Sequence, residues 1–303
     1  MRPFFLSLPL FILLISPPFA TAQESGKASL PKFSWVSPLS KNQSASLAKG
    51  LEHRTFLSPS MGVEVGYYVY LPAAYATNED RKFPLVLHLH GGRPGSESKA
   101  VRLADHIAAA IEAKEIQPTI YVFPNGGPVS WYNYPGLENG SGEDVLVKEL
   151  IPHLKETLRT REFGIEGFSQ GGRGTTRVMF RYPELFASAA PGGSGYSNEK
   201  KVQENDGKES DKVIFAKGDN TWDLATEYAK REDKSRLPIF LWVGTKGFNF
   251  ENNLEFSAYL KSLEIPHEIM KVDGIDHSAM RIYEKQGLDL MRFHQRHFAP
   301  PAE

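Results

Sequence analysis

Phe163-Gly164-Ile165-Glu166-Gly167-Phe168-Ser169-Gln170-Gly171-Gly172 is the stretch from which the rest of the chain can be read. Phe163 to Phe168 has the apolar character of a short buried strand, and a helical pattern follows it to about Tyr182. Between them stands Gly167-x-Ser169-x-Gly171, a turn tight enough to need glycine on both sides of the serine. Such a turn lifts the Ser169 hydroxyl above the end of a sheet. It also leaves the Gln170 N–H, at the start of a helix, free to hold a negative oxygen. The five-residue pattern alone is common and fits any Gly-rich strand-to-helix turn. A strand before it and a helix after it favour Ser169 as a nucleophile.

Outward from this turn, strand and helix patterns alternate. Strands are predicted at Val65–Leu71, Pro84–Leu89, Thr119–Phe123, Phe186–Ala190, Ile239–Val243 and His267–Val272. Several are almost wholly apolar, as strands buried on both faces are. Ala100, Ala104, Ile107, Ala108 and Ile111 recur at helical spacing. So do Leu146, Leu150, Leu154 and Leu158, with Pro152 marking a kink or a late start. Phe256, Tyr259, Leu260 and Leu263 mark a further helix, and a last one begins near Ser278. Alternation over most of the chain predicts an α/β fold with a mostly parallel central sheet and helices on both faces. The run 198–212 departs from it, with nine charged residues in fifteen, and reads as a solvated surface insertion.

Composition narrows the function. Lys plus Arg is 35 against 36 for Asp plus Glu, a net charge of −1 that gives nucleic acid and anionic membranes nothing to bind. There is no cysteine, which removes thiolate catalysis, disulfides and Cys-based zinc sites. Residues 1–22 have a basic start at Arg2, an apolar run from Phe4 to Ile15, a break at Pro17-Pro18 and small residues before Gln23. That is the layout of a cleaved secretory signal peptide, too short for a retained membrane anchor. A secreted or periplasmic protein is therefore expected. Its mobile lead-in spans residues 23–50 and one catalytic domain spans 51–303.

Two more turns fall where acyl chemistry would need them. His90-Gly91-Gly92 ends the strand at Leu89, so the Gly92 N–H can be a second donor to an oxyanion. Asp276-His277-Ser278 follows the last strand, where a loop can carry His277 to Ser169 as its base. These features, with Tyr68-Val69-Tyr70-Leu71-Pro72, Glu149-Leu150-Ile151-Pro152, Tyr182-Pro183-Glu184-Leu185-Phe186 and Val243-Gly244-Thr245-Lys246, make residues 51–297 resemble a family of α/β-hydrolases. That family contains esterase D, feruloyl esterases and related secreted carbohydrate esterases. The resemblance implies the α/β-hydrolase fold, a Ser–His–acid triad, no metal or organic cofactor, and small-molecule or carbohydrate ester substrates.

The chain departs from the family at one point. Gly247 stands where the triad aspartate usually follows a stretch like Gly244-Thr245-Lys246. Glu251, four residues on and one methylene longer, is the nearest acid that can take the place. It can equally be a residue that favours a helix N-terminus. Asp223 and Asp276 are weaker candidates, and a dyad oriented by water or a carbonyl is a further option. Trp131 and Tyr132, after a Gly/Pro-rich stretch, are the candidate substrate contacts among several aromatic residues. Three competing readings remain. One is a metal site using His88 and His90 on one strand face or His294 and His297 on a helix. The others are a catalytically impaired binding module and an acyltransferase using the same acyl-enzyme.

Overall fold

The computed structural model describes residues 32–300 apart from residue 212. The expected signal peptide lies outside the described residues. The strands are β1 (Leu51–Leu57), β2 (Glu64–Tyr70), β3 (Phe83–Leu89), β4 (Ile120–Pro124), β5 (Thr160–Phe168), β6 (Ser188–Gly192), β7 (Lys208–Ser210), β8 (Val213–Ile214), β9 (Phe240–Gly244) and β10 (Glu268–Val272). Eight form one sheet in the order β1-β2-β4-β3-β5-β6-β9-β10, and β7 and β8 form a separate ribbon. Every pair from β4 to β10 is parallel, while β2 is antiparallel to both β1 and β4. The principal helices are α1 (Leu103–Glu112), α2 (Ile151–Thr157), α3 (Gln170–Arg181), α4 (Tyr196–Glu204), α5 (Thr221–Ala229), α6 (Phe250–Ser262) and α7 (Ala279–His297).

Alternating sheet faces feed two cores, as the period of a strand requires. Leu85, Leu87 and Leu89 of β3 enter one core with Ile165, Val178 and Leu241. Val86 enters the other, beneath α1 and α7, with Ile107, Trp242 and Phe293. Pro152 is accommodated by a wider π turn over Val145–Leu150 that hands on to α2 just before it. The missing N–H of proline thus falls at a helix start, where no partner is needed.

Two expectations are corrected. The segment read as a mobile lead-in is docked from Phe33 onward. Trp35 is buried, its carbonyl accepts a bond from the Gly66 N–H at 2.8 Å, and Asn125 Nδ2 donates to the Ser34 carbonyl at 3.1 Å. The charged run 198–212 is only half solvated. It folds as the end of α4 plus the ribbon, and Glu199 is fully buried.

The strand order reverses at β3: β4 lies on one side of it and β5 on the other. Crevices at such reversals, beyond the strand carboxyl ends, are where open α/β sheets bind ligands. Leu89 pairs with Gly167, so the turns that follow β3 and β5 emerge side by side.

Candidate active site

Ser169 sits at φ 60°, ψ −112°, a backbone conformation that side chains rarely adopt. It is held by its own N–H to the Gly192 carbonyl at 2.9 Å, while its carbonyl accepts from the Arg173 N–H at 3.0 Å. The flanking glycines are required by contact. A Cβ on Gly167 would stand 2.5 Å from the Gly171 carbonyl oxygen, and one on Gly171 would stand 1.8 Å from that of Leu89. Gln170 is the first residue of α3, so its N–H has no acceptor within the helix.

The neighbouring turn is built around a buried imidazole. His90 Nε2 accepts from the N–H groups of Gly126 at 3.2 Å and Ser96 at 3.3 Å, which leaves Nδ1–H to donate to the Gly91 carbonyl at 3.0 Å. Burial pushes the His90 pKa down to about 3, so the neutral tautomer persists through ordinary conditions. Gly92 follows at φ 74°, and its carbonyl accepts from Ser130 Oγ at 2.6 Å. A Cβ on Gly91 would be 3.2 Å from that of Ser169, which places the two turns in contact.

His277 lines the same cleft, about 410 Å³ in volume, as Gly92 and Ser169. Its ring lies 4.6 Å from the Phe168 ring and 4.4 Å from that of Phe248, which is 82% exposed. Nδ1 is 3.2 Å from Oδ1 of Asn249. Asn249 is buried just before α6, and its Nδ2 donates to the Ser194 carbonyl at 3.1 Å and to that of Gly193. Asn253 fixes the same loop, donating to the Asn249 carbonyl at 2.8 Å and accepting from the Ser194 N–H at 3.1 Å. With both amide hydrogens committed, only Oδ1 is left to face the imidazole. An acceptor there puts the His277 proton on Nδ1 and leaves Nε2 as a free base.

Glu251 does not take the position expected of it. It lies in the first turn of α6 and is exposed, and the partner of His277 is Asn249, two residues earlier. A search limited to acids passes over this asparagine, although its place between strand and helix was a usable signal. Replacing Asn249 with alanine is expected to lower kcat about 10²-fold with little change in KM, because the imidazole loses its orienting acceptor. Steady-state kinetics on a nitrophenyl ester would show this, and an unchanged kcat would remove Asn249 from the site.

Trp131 and Tyr132 are likewise placed away from the cleft, both almost completely buried. Trp131 donates from Nε1 to the His90 carbonyl at 3.0 Å and packs against Gly174, so it braces the turn from behind. Tyr132 donates to Glu199, and the Arg177 guanidinium lies 3.8 Å from its ring centre. The Gly/Pro-rich stretch before them turns the chain inward.

Of the paired histidines, His88, His90 and His294 are engaged in the protein interior, while His297 is half-buried against the Phe293 ring. His88 Nδ1 is 2.6 Å from Glu166, which also accepts from the Tyr283 hydroxyl and lies 3.4 Å from His294 Nε2. Burial would raise the Glu166 pKa, but the bonds from His294 and His88 outweigh it and hold the carboxyl at about 2. Among the described residues no group of three or more His, Cys, Asp or Glu is arranged to hold a metal ion.

The Putative esterase family matches residues 58–280. Two curated esterases from Mycobacterium tuberculosis strains, CDC 1551 / Oshkosh and ATCC 25618 / H37Rv, are each 28% identical to the chain over 256 residues. The match covers 72% of this chain and 54% of theirs, so the chain spans about half the length of these relatives. Among solved structures, a ferulic acid esterase superposes with a TM-score of 0.68 at 20% identity, over 82% of this chain and 98% of that one. An S-formylglutathione hydrolase from Agrobacterium tumefaciens gives 0.67 at 17% identity, over 84% and 98%. The ferulic acid esterase of Anaeromyces mucronatus bound to ferulic acid gives 0.60 at 18%, over 88% and 98%. These likenesses establish the α/β-hydrolase fold. With Gly92, Ser169, Asn249 and His277 all inside the matched span, the chain belongs to the Putative esterase family.

Proposed function

We propose that the protein is a serine esterase that hydrolyses carboxylic esters through an acyl-enzyme on Ser169. The observation that carries this reading is a strained serine sharing one cleft with a histidine whose Nδ1 faces a fixed acceptor. Ser169 Oγ attacks the ester carbonyl while His277 Nε2 takes its proton. The N–H groups of Gly92 and Gln170 hold the tetrahedral oxyanion. As the intermediate collapses, His277 returns the proton to the leaving alcohol. Water then attacks the acyl carbonyl while His277 takes its proton, and the acid departs as His277 returns that proton to Ser169 Oγ. Asn249 supplies no negative charge to the imidazolium, so its contribution is orientation of the ring. That orientation counts against a degraded binding module, because the proton is held on the nitrogen that catalysis requires.

The names of the structural relatives make feruloyl esters the first substrates to try, and the family resemblance adds acetyl groups on carbohydrates. Residues 1–22 support action outside the cytoplasm. The direct test is treatment with a nitrophenyl phosphonate followed by peptide mass analysis. A covalent adduct on Ser169, with loss of nitrophenyl ester turnover, is expected. An unlabelled Ser169 in folded protein would overturn the reading.

The pH dependence follows from His277. Burial lowers its pKa below the ordinary 6.5, and nearby Asp276 only partly opposes the shift. The base must be neutral, so kcat/KM should fall as pH drops through that lowered pKa. The half-maximal point of the acid limb is expected below pH 6.5. A limb centred higher would mean that attraction to Asp276 outweighs burial.

A further inference from the structure

Lys99 is exposed at the mouth of the cleft and lines it together with Gly92, Ser169 and His277. Among the described residues it is the one Lys, Arg, Asp or Glu in that lining; the rest is glycine, histidine, serine and apolar side chains. Its ammonium donates to the Pro94 carbonyl at 2.6 Å. It would lie 3.3 Å from a Cβ built on Gly92, which sets it beside the second oxyanion donor. An ammonium has three donors, and a single carbonyl uses one.

No carboxylate among the described residues pairs with Lys99, and the acids that adjoin the lining residues in sequence, or in the case of Glu209 through Arg93, have other partners. Glu97 is buried and accepts from Asn125 Nδ2 at 2.9 Å. Glu209 is 3.0 Å from both Arg93 and Arg173. Asp276 is 2.8 Å from Arg281, and Asp105 accepts from the Ala48 N–H at 2.7 Å. A positive charge is therefore held at the mouth of an otherwise uncharged cleft, with its counter-charge left to an incoming molecule.

We propose that the cleft takes esters bearing a carboxylate near the scissile carbonyl, such as half-esters of short dicarboxylic acids, and that Lys99 recognises that carboxylate. The inference rests on the esterase reading of the same site. Charge attraction acts on substrate and transition state alike, so its effect belongs in KM.

The experiment compares the nitrophenyl half-ester of adipic acid with nitrophenyl hexanoate, a neutral ester of the same chain length. Lys99→Met keeps an unbranched apolar stem and removes the charge. It is expected to lower kcat/KM for the adipate about five- to tenfold more than for the hexanoate, mainly through KM. Lys99→Arg should retain most of the preference, and added salt should shrink it in the wild type. Equal losses on both esters in Lys99→Met would overturn the proposal and make Lys99 a support for the oxyanion turn. If neither ester is turned over, it is the esterase reading that fails. Calorimetric titration of adipate monomethyl ester into Ser169→Ala and Ser169→Ala/Lys99→Met reads recognition without chemistry. Weaker binding to the double variant is expected, and equal binding overturns the assignment.

Discussion

Replacing Ser169 with alanine is expected to lower kcat on a nitrophenyl ester by about 10⁴-fold or more, to the level supported by the remaining donors and the cleft. The substitution keeps the Cβ and removes only the hydroxyl. The Ser169 N–H to Gly192 bond and the start of α3 can therefore stay in place. Circular dichroism and the thermal midpoint should match the wild type, which separates loss of the nucleophile from loss of fold. Turnover that survives in the variant would mean that another group attacks the ester.

The second large effect concerns stability. Arg177 is fully buried on α3, two turns beyond Ser169. Its guanidinium donates to Asp219 Oδ2 at 2.8 Å, to the Asp219 carbonyl at 2.9 Å and to the Trp131 carbonyl at 2.9 Å, and it lies 3.3 Å from Glu143. Arg181 pairs with the same two acids, so two positive and two negative charges share one site. Arg177→Met is expected to cost about 3–5 kcal/mol, because one positive charge is removed from between two acids and two carbonyls lose their donors. For a domain of this size that is a fall in thermal midpoint on the order of 10 °C. Calorimetry at neutral pH measures it. Glu143→Gln added to the variant should recover part of the loss, whereas a loss unchanged by it would mean that Arg177 contributes through packing alone.

The α/β alternation was legible because strands buried on both faces leave almost unbroken apolar runs, as in Pro84–Leu89. The serine turn was legible because its backbone leaves no room for side chains at positions 167 and 171. Both signals are local. Asn249 was hidden because the role assigned to its position was that of a carboxylate, and an asparagine meets it only when neighbouring carbonyls capture its amide hydrogens. Those carbonyls, at Gly193 and Ser194, come from a segment more than fifty residues away. Trp131 and Tyr132 misled for a related reason. Aromatic residues after a flexible stretch suit a pocket wall or a core equally well, and tertiary packing against His90 and Arg177 decided for the core. The run 198–212 looked solvated because composition does not show that Glu199 and Glu209 face Arg173.

Pairing of β3 with β5 aligns Leu89 with Gly167, so a hydrogen-bonded ladder fixes where the two turns that carry Gly92 and Ser169 begin. Lys99, which lines the cleft, and Phe248, beside His277, hang from two separate connections, β3 to α1 and β9 to α6, that contribute nothing to that ladder. Variation among descendants of this chain can therefore fall on the mouth and change which esters are admitted, while the bond-breaking geometry is inherited intact.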